Sequence, residues 1–557
     1  MKNPPGINWR IAACVFVLIA VNLYAYFPSL YHVTRADQSV FLVETAELED
    51  FGSLFNYSYS YTRSRLLFIG DKIIFRPVWY AILSLEKAVF GYRFFYWQLT
   101  SLLLHFAVCL MLWRVLHQLA PGIGAFLTTL GFSVVSLFSE MVIWHHVHGY
   151  LLFLVFLLAG IMHFMRWTAS GLRTTSDLVW LLIYLTLMCF LYEFGVICAV
   201  TMCAAAWLTA RPENPKEKIL LRWRCAALSG PVLMYFYLSG LDYYIRFGLP
   251  DAGASLAASS TYLSPANIGI ALLTMAVMSL AGIFIPAFLV LIPGQRTTLS
   301  AIYWKTLAGH FSWQDPWSIL NAFLLAVLSV LVVYVIVGMI RRARTLKARG
   351  EDTASDKSGV VVSQTSAFLV FGYIMMLVVG RFGDKTLGYI LGSLYHFYAV
   401  GLLLIVALYA AVAPRLVRRP LPGQAFVRIS AIMVLVLSVV INSVMTRRLN
   451  QELYKLMEPW GTFIARMEDF VRQERRTPGF SFNFNFREQY WLFQMRIGDP
   501  VNGQMITGNL AEYMYRRYLG QPNPRYYLNY YSNRGIQTFS TLQEAENDYA
   551  QTISQTR

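Results

Sequence analysis

WSILNAFLLAVLSVLVVYVIVGMI (residues 317–340), followed at once by RRARTLKARG (341–350), decides the fold class of this chain. The first stretch holds no charged side chain, and about 20 apolar residues in a helix cross a bilayer. The second holds Arg341, Arg342, Arg344, Lys347 and Arg349, and short basic linkers beside spans stay cytoplasmic. The same alternation recurs along the chain. Uncharged runs lie at 11–31, 94–113, 122–139, 149–165, 178–192, 194–210, 225–241, 265–293, 360–380, 390–414 and 429–446. Of 557 residues, 57% are hydrophobic and 14% charged, against roughly 25% charged in a soluble domain. These features exclude a soluble globular enzyme, a secreted disulfide scaffold and a fibrous chain, and describe a polytopic membrane protein. The net charge of +16 sits in linkers between apolar runs, so the expected contacts are membrane lipids and not nucleic acid.

Orientation follows from the linkers. The segments 211–224 (Arg211, Lys216, Lys218, Arg222, Arg224) and 415–428 (Arg415, Arg418, Arg419, Arg428) are expected to be cytoplasmic, as is an N-terminus with Lys2 and Arg10. The run 11–31 lacks a small-residue cleavage site and reads as a retained span. Counting crossings from that end forces one exception. The run 265–293 contains Pro265, Pro286 and Pro293, which break helix hydrogen bonding, so it reads as a broken or re-entrant element. About eleven full crossings remain, placing the C-terminus outside. The expected organisation is a membrane module over 1–446, with an external loop at 32–93 and a cytoplasmic loop at 341–359. A small α+β extracytoplasmic domain over 447–557 follows.

Within that last domain, Leu449, Leu453, Leu456, Trp460, Phe463, Met467 and Phe470 recur at helical spacing. Phe480, Phe482, Phe484 and Phe486 then alternate with polar residues, the period of a strand. Tyrosine-rich segments after them (Tyr513 to Tyr531) suit sugar stacking or packing on a protein partner. The six cysteines all fall in or beside apolar runs and read as small core residues.

Charges deep in the spans, which mark ion-coupled transporters, are missing. His105 and His163 lie mid-span and read as satisfied packing residues. The informative polar groups gather at the outer span ends instead. Asp37 follows the first span and is placed to act as a general base, although acids near span ends are commonly inert. Arg76-Pro77-Val78-Trp79 opens an amphipathic stretch with Val78, Ile82, Leu85 and Val89 on one face, an interfacial helix ending at Phe90-Gly91. Between the third and fourth spans, Glu140, Trp144, His145, His146 and His148 crowd together. The three histidines with Glu140 could take a divalent metal, but neighbouring positions on one helix point apart. Arg381 and Lys385 suit a phosphate or diphosphate, or snorkel to lipid head groups. Tyr395-His396-Phe397-Tyr398 enters a late span.

The order of these pieces resembles the GT-C superfamily of integral membrane glycosyltransferases, in particular its protein O-mannosyltransferase-like branch. The matching pieces are Asp37 in the first external loop, Arg76-Pro77 through Phe90-Gly91, and His105 in the second span. Glu140, Trp144 and Gly149 match next, then Glu193 with Gly195, then Tyr395, His396 and Tyr398. The likeness covers residues 10–210 well and 365–410 loosely. Three departures stand out. Gln38 follows Asp37 where paired acids are common, Tyr395-His396 stands where an arginine is common, and no tetratricopeptide pattern follows the last span.

The resemblance implies an inverting transfer of a sugar from a polyprenyl-phosphate donor to an acceptor hydroxyl on a protein, lipid or glycan, outside the membrane. It implies Asp37 as the base, with Glu140 orienting the acceptor or a metal. Arg76, Arg381 and Lys385 would hold the donor phosphate. Trp79, Trp144, His145, His148, Glu193, Tyr395 and His396 would contact sugar or acceptor. No cofactor beyond that alternative metal is expected. A bacterial inner membrane fits best, while the sequon Asn56-Tyr57-Ser58 leaves the endoplasmic reticulum as an alternative. The rival readings are a scaffold or accessory subunit that has lost catalysis, and a transporter of lipid-linked glycans.

Overall fold

The computed structural model of the protein describes residues 9–32, 48, 50–65, 75–91, 93–144, 147–209 and 215–247. It also describes isolated helical positions between 269 and 280, then 354–377, 395–418, 432–433, 435–451, 482–485, 526–531, 535–539 and a few positions after 542. Asp37, His145, His146, Arg381 and Lys385 lie outside these residues. So do the stretch 317–350, most of 265–293 and most of the tail, including the amphipathic helix expected after residue 451.

The described bundle is helical. α1 (Trp9–Tyr26) continues into a 3-10 turn, Phe27–Tyr31. α2 (Phe51–Arg65) and α3 (Pro77–Phe90) follow in the first large loop. Then come α4 (Phe94–Leu119), α5 (Ile123–Ser133), the short α6 (Ser139–Ile143), α7 (His148–Ala169), α8 (Thr175–Leu191), α9 (Phe194–Thr209) and α10 (Pro215–Phe247). α11 (Ala354–Met375), α12 (Tyr395–Arg418) and α13 (435–451) complete the described helices of the bundle. By length and composition, three described helices can cross a membrane alone, and the bent pair Ile123–Ser133 with Ser136–Ile143 is a broken span or a re-entrant loop. In the tail, β1 (Phe482–Asn485) pairs parallel with β2 (Tyr526–Tyr531), which pairs antiparallel with β3 (Gly535–Phe539).

Several expectations need correction. The run 122–139 is not one straight span. It bends by 55°, and the carbonyls freed at the break are taken up by other helices. The Thr446 hydroxyl donates to the Val134 carbonyl at 2.6 Å, and His105 Nε2 donates to that of Ser133 at 2.9 Å. A helix break inside protein needs such donors because lipid supplies none. Lys216, Lys218, Arg222 and Arg224 lie on the first turns of α10, not in a loop. α10 runs unbroken through Pro231 and on to Phe247, and α13 extends past 446. Residues 354–359, expected in the cytoplasmic loop, begin α11.

The stripe on α3 is divided: Val78 and Ile82 pack partly against the core. Leu85 and Val89 are exposed, and Trp79, Tyr80, Leu83, Glu86 and Lys87 are buried. In a membrane an apolar stripe can face lipid, which leaves the polar side for the protein interior. Pro77 at the first turn and Gly91 just past the last, with φ +53°, fix the ends of this helix.

Long-range hydrogen bonds sort the joints into two ends of the bundle. At one end His32 Nε2 donates to the Asn450 carbonyl at 3.0 Å, and Gln98 Nε2 reaches Ser29 Oγ at 3.1 Å and the Val142 carbonyl at 3.0 Å. At the other, the Tyr409 hydroxyl donates to the Ala120 carbonyl at 3.0 Å, and Arg224 donates to the carbonyl of Leu172. Successive helices therefore alternate in direction, as a spanning bundle requires. His105 is fully buried between them, its Nδ1 accepting from the Tyr398 hydroxyl at 2.7 Å and Nε2 lying 3.0 Å from Asn22 Oδ1. His163 pairs with Asp177 at 2.9 Å. Both histidines are satisfied packing residues, as expected.

Candidate functional site

The first end of the bundle carries a connected group of the residues nominated from sequence. Arg76 stands at the N-cap of α3, where the chain turns into Pro77. Its Nε donates to Glu193 Oε1 at 2.7 Å and its Nη2 to Oε2 at 2.5 Å. This is the two-pronged geometry a planar guanidinium favours with a carboxylate. The guanidinium carbon lies 4.7 Å from the ring centroids of both Trp79 and Tyr192, and Nη1 approaches the Tyr150 hydroxyl at 3.4 Å. Arg76 is 1% exposed, whereas the Glu193 side chain keeps 26% of its surface open.

Two glycines permit this packing. Gly149 lies under the Trp79 indole, where an added Cβ would come within 2.8 Å of two ring carbons. Gly195 makes the reversal from α8 to α9, because a side chain there would run into the backbone of Met188 and Cys189. That reversal presents Tyr192 and Glu193 in extended and turn conformation between two helices.

From Tyr150 the contacts continue. Its ring meets Trp79 at 5.1 Å, Tyr192 at 4.5 Å and Tyr395 at 5.8 Å between centroids. Tyr395 in turn meets Trp144 edge-on at 5.2 Å. Glu140 Oε2 accepts the backbone N–H of Tyr395 at 3.1 Å, so a carboxylate distant in sequence caps the first residue of α12, where the helix dipole favours negative charge. Arg76, Trp79, Glu140, Trp144, Glu193 and Tyr395 thus form one continuous assembly drawn from α3, α6, α7, the α8–α9 joint and α12. His396 packs against Tyr395, with ring centroids 3.9 Å apart, and its Nδ1 bonds the Tyr373 hydroxyl at 2.9 Å.

His148 belongs to a second cluster. Its Nδ1 lies 2.7 Å from Glu86 Oε1 and its Nε2 lies 2.5 Å from Ser101 Oγ. All three residues are buried, and the chain of contacts runs acid, imidazole, hydroxyl between α3, α7 and α4. With no open face, this arrangement docks helices. His148 is therefore a buried residue in the described structure. Among the described residues no group of three or more His, Cys, Asp or Glu side chains is placed to hold a metal ion.

Sequence reasoning missed Glu86, Ser101, Tyr150 and Tyr192. Glu86-Lys87 inside an otherwise apolar stretch was the one available signal. Lys87 donates to the Leu48 carbonyl at 3.3 Å, and Asp50 Oδ1 accepts the Ser53 N–H at 2.8 Å. Hydrogen bonds from Ser53, first from its side chain and then from its backbone N–H, hold the exposed Asp50 carboxyl below its ordinary value. The chain on both sides of 33–47 is thus fixed, at His32 and at Leu48.

No protein-family model and no curated protein matches the chain. Seven chains of solved structures do. One is the oligosaccharyltransferase of Archaeoglobus fulgidus, from its crystal structure in complex with Zn and sulfate. It aligns over 92% of this chain and 67% of its own, with a TM-score of 0.42 and 12% identity. A likeness of this size assigns neither activity nor substrate to this chain.

Proposed function

We propose that the protein is a membrane glycosyltransferase of the GT-C kind, moving a sugar from a polyprenyl-phosphate donor to an acceptor hydroxyl at the external end of the bundle. The observation that carries this reading is the gathering of Arg76, Trp79, Glu140, Trp144, Glu193 and Tyr395 at one end. They were nominated from separate stretches of sequence, and a shared site needs them on one side of the membrane. The described residues that flank the Asp37 segment, His32 and Leu48, bond to Asn450 and Lys87, which supports placing Asp37 in the same site.

In the proposed reaction Asp37 takes the proton of the acceptor hydroxyl as its oxygen attacks the anomeric carbon. The bond from that carbon to the phosphate oxygen breaks, and polyprenyl phosphate leaves with the electron pair. A phosphate leaves readily, so the demand falls on the base, whose assistance is worth about 10²–10⁴-fold. Arg381, Lys385 and Arg76 are proposed for the donor phosphate. Trp79, Trp144, His145, Tyr395 and His396 are proposed for sugar and acceptor. Glu140 positions α12 and with it Tyr395. A bacterial inner membrane, N-terminus inside, is the proposed setting.

The test is transfer from a panel of polyprenyl-phosphate hexoses by the full chain in lipid nanodiscs. Asp37→Asn should reduce transfer by about 10²–10⁴-fold with unchanged thermal stability. Undiminished transfer by that variant refutes the assignment.

A second reading, a scaffold that has lost catalysis, draws on one observation: Arg76 and Glu193 engage each other, and Glu140 is engaged with backbone. It is distinguished by a wild-type chain that neither binds nor consumes any donor in the panel.

A further inference from the structure

Among the described residues, three aromatic side chains and one carboxylate stand around the Arg76 guanidinium. Trp79 and Tyr192 lie against the guanidinium at 4.7 Å each. Tyr150 takes Nη1 at 3.4 Å. The remaining edge, Nε with Nη2, is the one Glu193 occupies. Of the two partners, Glu193 is the one with open surface, at 26% against 2% for the Arg76 side chain. It sits at a joint between helices, where its side chain can leave into the open without unwinding a turn. A phosphate oxygen pair has the same fork geometry as a carboxylate and suits the same guanidinium edge.

We propose that Arg76 in its aromatic sleeve is an anion site that Glu193 occupies from within, and that the phosphate group of a polyprenyl phosphate, or free phosphate, binds there by displacing the Glu193 carboxylate. The site stands on the geometry alone; only the lipid carrier rests on the reading above. Glu193 then acts as a built-in competitor. It keeps a buried cation neutral while the site is empty, which avoids stranding a charge away from water. It also lowers the apparent affinity by the fraction of time the edge is taken. In this scheme Glu193 is not a sugar ligand but the counter-ion that yields to the donor.

The test is binding to the full chain in detergent, read by native mass spectrometry, with undecaprenyl phosphate in one arm and inorganic phosphate in the other. Glu193→Gln removes the competing charge and should tighten undecaprenyl phosphate binding about tenfold, the effect of an edge nine-tenths occupied. Arg76→Gln in that background should abolish the gain. Glu193→Asp keeps the charge but shortens the reach, should bind a few-fold tighter than wild type, and decides the matter if Glu193→Gln does not fold. A gain in both arms supports a site that reads phosphate itself. A gain with the lipid alone supports the site with the tail required. Unchanged or weaker binding in both variants overturns the proposal. Tighter binding can be seen in a chain that transfers nothing, so this inference and the enzymatic reading fail separately.

Discussion

Replacing Gly149 by alanine puts the packing of the site wall to a direct test, with Gly160 in the same helix as its control. Both glycines lie in α7, and alanine in a helix interior is worth about 0.5–1 kcal/mol over glycine. At Gly160 a new Cβ would find its nearest neighbours, Leu181 Cδ1 and Met188 Cε, at 3.8 Å, which is ordinary contact. Gly160→Ala should therefore stabilise by about 0.5–1 kcal/mol. At Gly149 the Cβ would stand 2.8 Å from both Cδ1 and Cγ of Trp79. The indole cannot simply recede, because Arg76 lies at 4.7 Å and Tyr150 at 5.1 Å from it. Overpacking of this kind costs about 1–3 kcal/mol. The propensity gain near a helix start is smaller than mid-helix, so the net is a loss of about 1–2 kcal/mol. Thermal unfolding of the purified chain, followed by tryptophan fluorescence, should move down for Gly149→Ala and up for Gly160→Ala. Shifts of the same sign in both variants would refute the reasoning, since propensity alone would then govern both sites.

Three further outcomes follow from other contacts. His148→Ala removes the buried partner that Glu86 Oε1 meets at 2.7 Å, and leaving a buried polar group without that hydrogen bond costs about 1–3 kcal/mol. Adding Glu86→Gln should recover part of it, and strict additivity in a double-mutant cycle would show the two residues to be uncoupled. Tyr398→Phe removes the donor to His105 Nδ1, 2.7 Å away, and should cost about 1–3 kcal/mol in denaturant unfolding. Asp50 tests the pH response of α2. Its carboxyl is held below the ordinary value of 3.8 by the Ser53 hydrogen bonds. The cap is complete above that value in the unfolded chain and is lost as pH falls through the lowered folded one. Amide exchange across Phe51–Arg65 should quicken in acid, and Asp50→Asn should remove the pH dependence while keeping the cap.

The helices were legible because charge and apolar runs alternate at the scale of a bilayer. The reversal at Glu193 falls between two uncharged runs, 178–192 and 194–210. What sequence could not show is which polar groups satisfy each other. Glu86, His148 and Ser101 come from three helices separated by long stretches of chain. No local pattern announces that a glutamate on an amphipathic helix faces inward. The apolar stripe at Leu85 and Val89 is exposed, as a lipid-facing surface would be, so apolar periodicity named a face without telling lipid from core. The bend in the run 122–139 was hidden because neither Val134 nor Val135 breaks a helix by itself. It exists because Thr446 and His105, remote in sequence, supply the donors that a broken backbone requires.

That dependence links the bend to the site. The break turns the chain so that α6 can deliver Glu140 to the first residue of α12. Tyr398, one turn further along α12, bonds the same His105 that holds the Ser133 carbonyl. One imidazole therefore ties the bend between α5 and α6 to the helix that carries Tyr395. The position of Trp144 against Tyr395, at 5.2 Å, is a consequence of that tie as much as of their own contact. A residue whose sequence setting marked it as packing is, through its two nitrogens, what sets the geometry of the site wall.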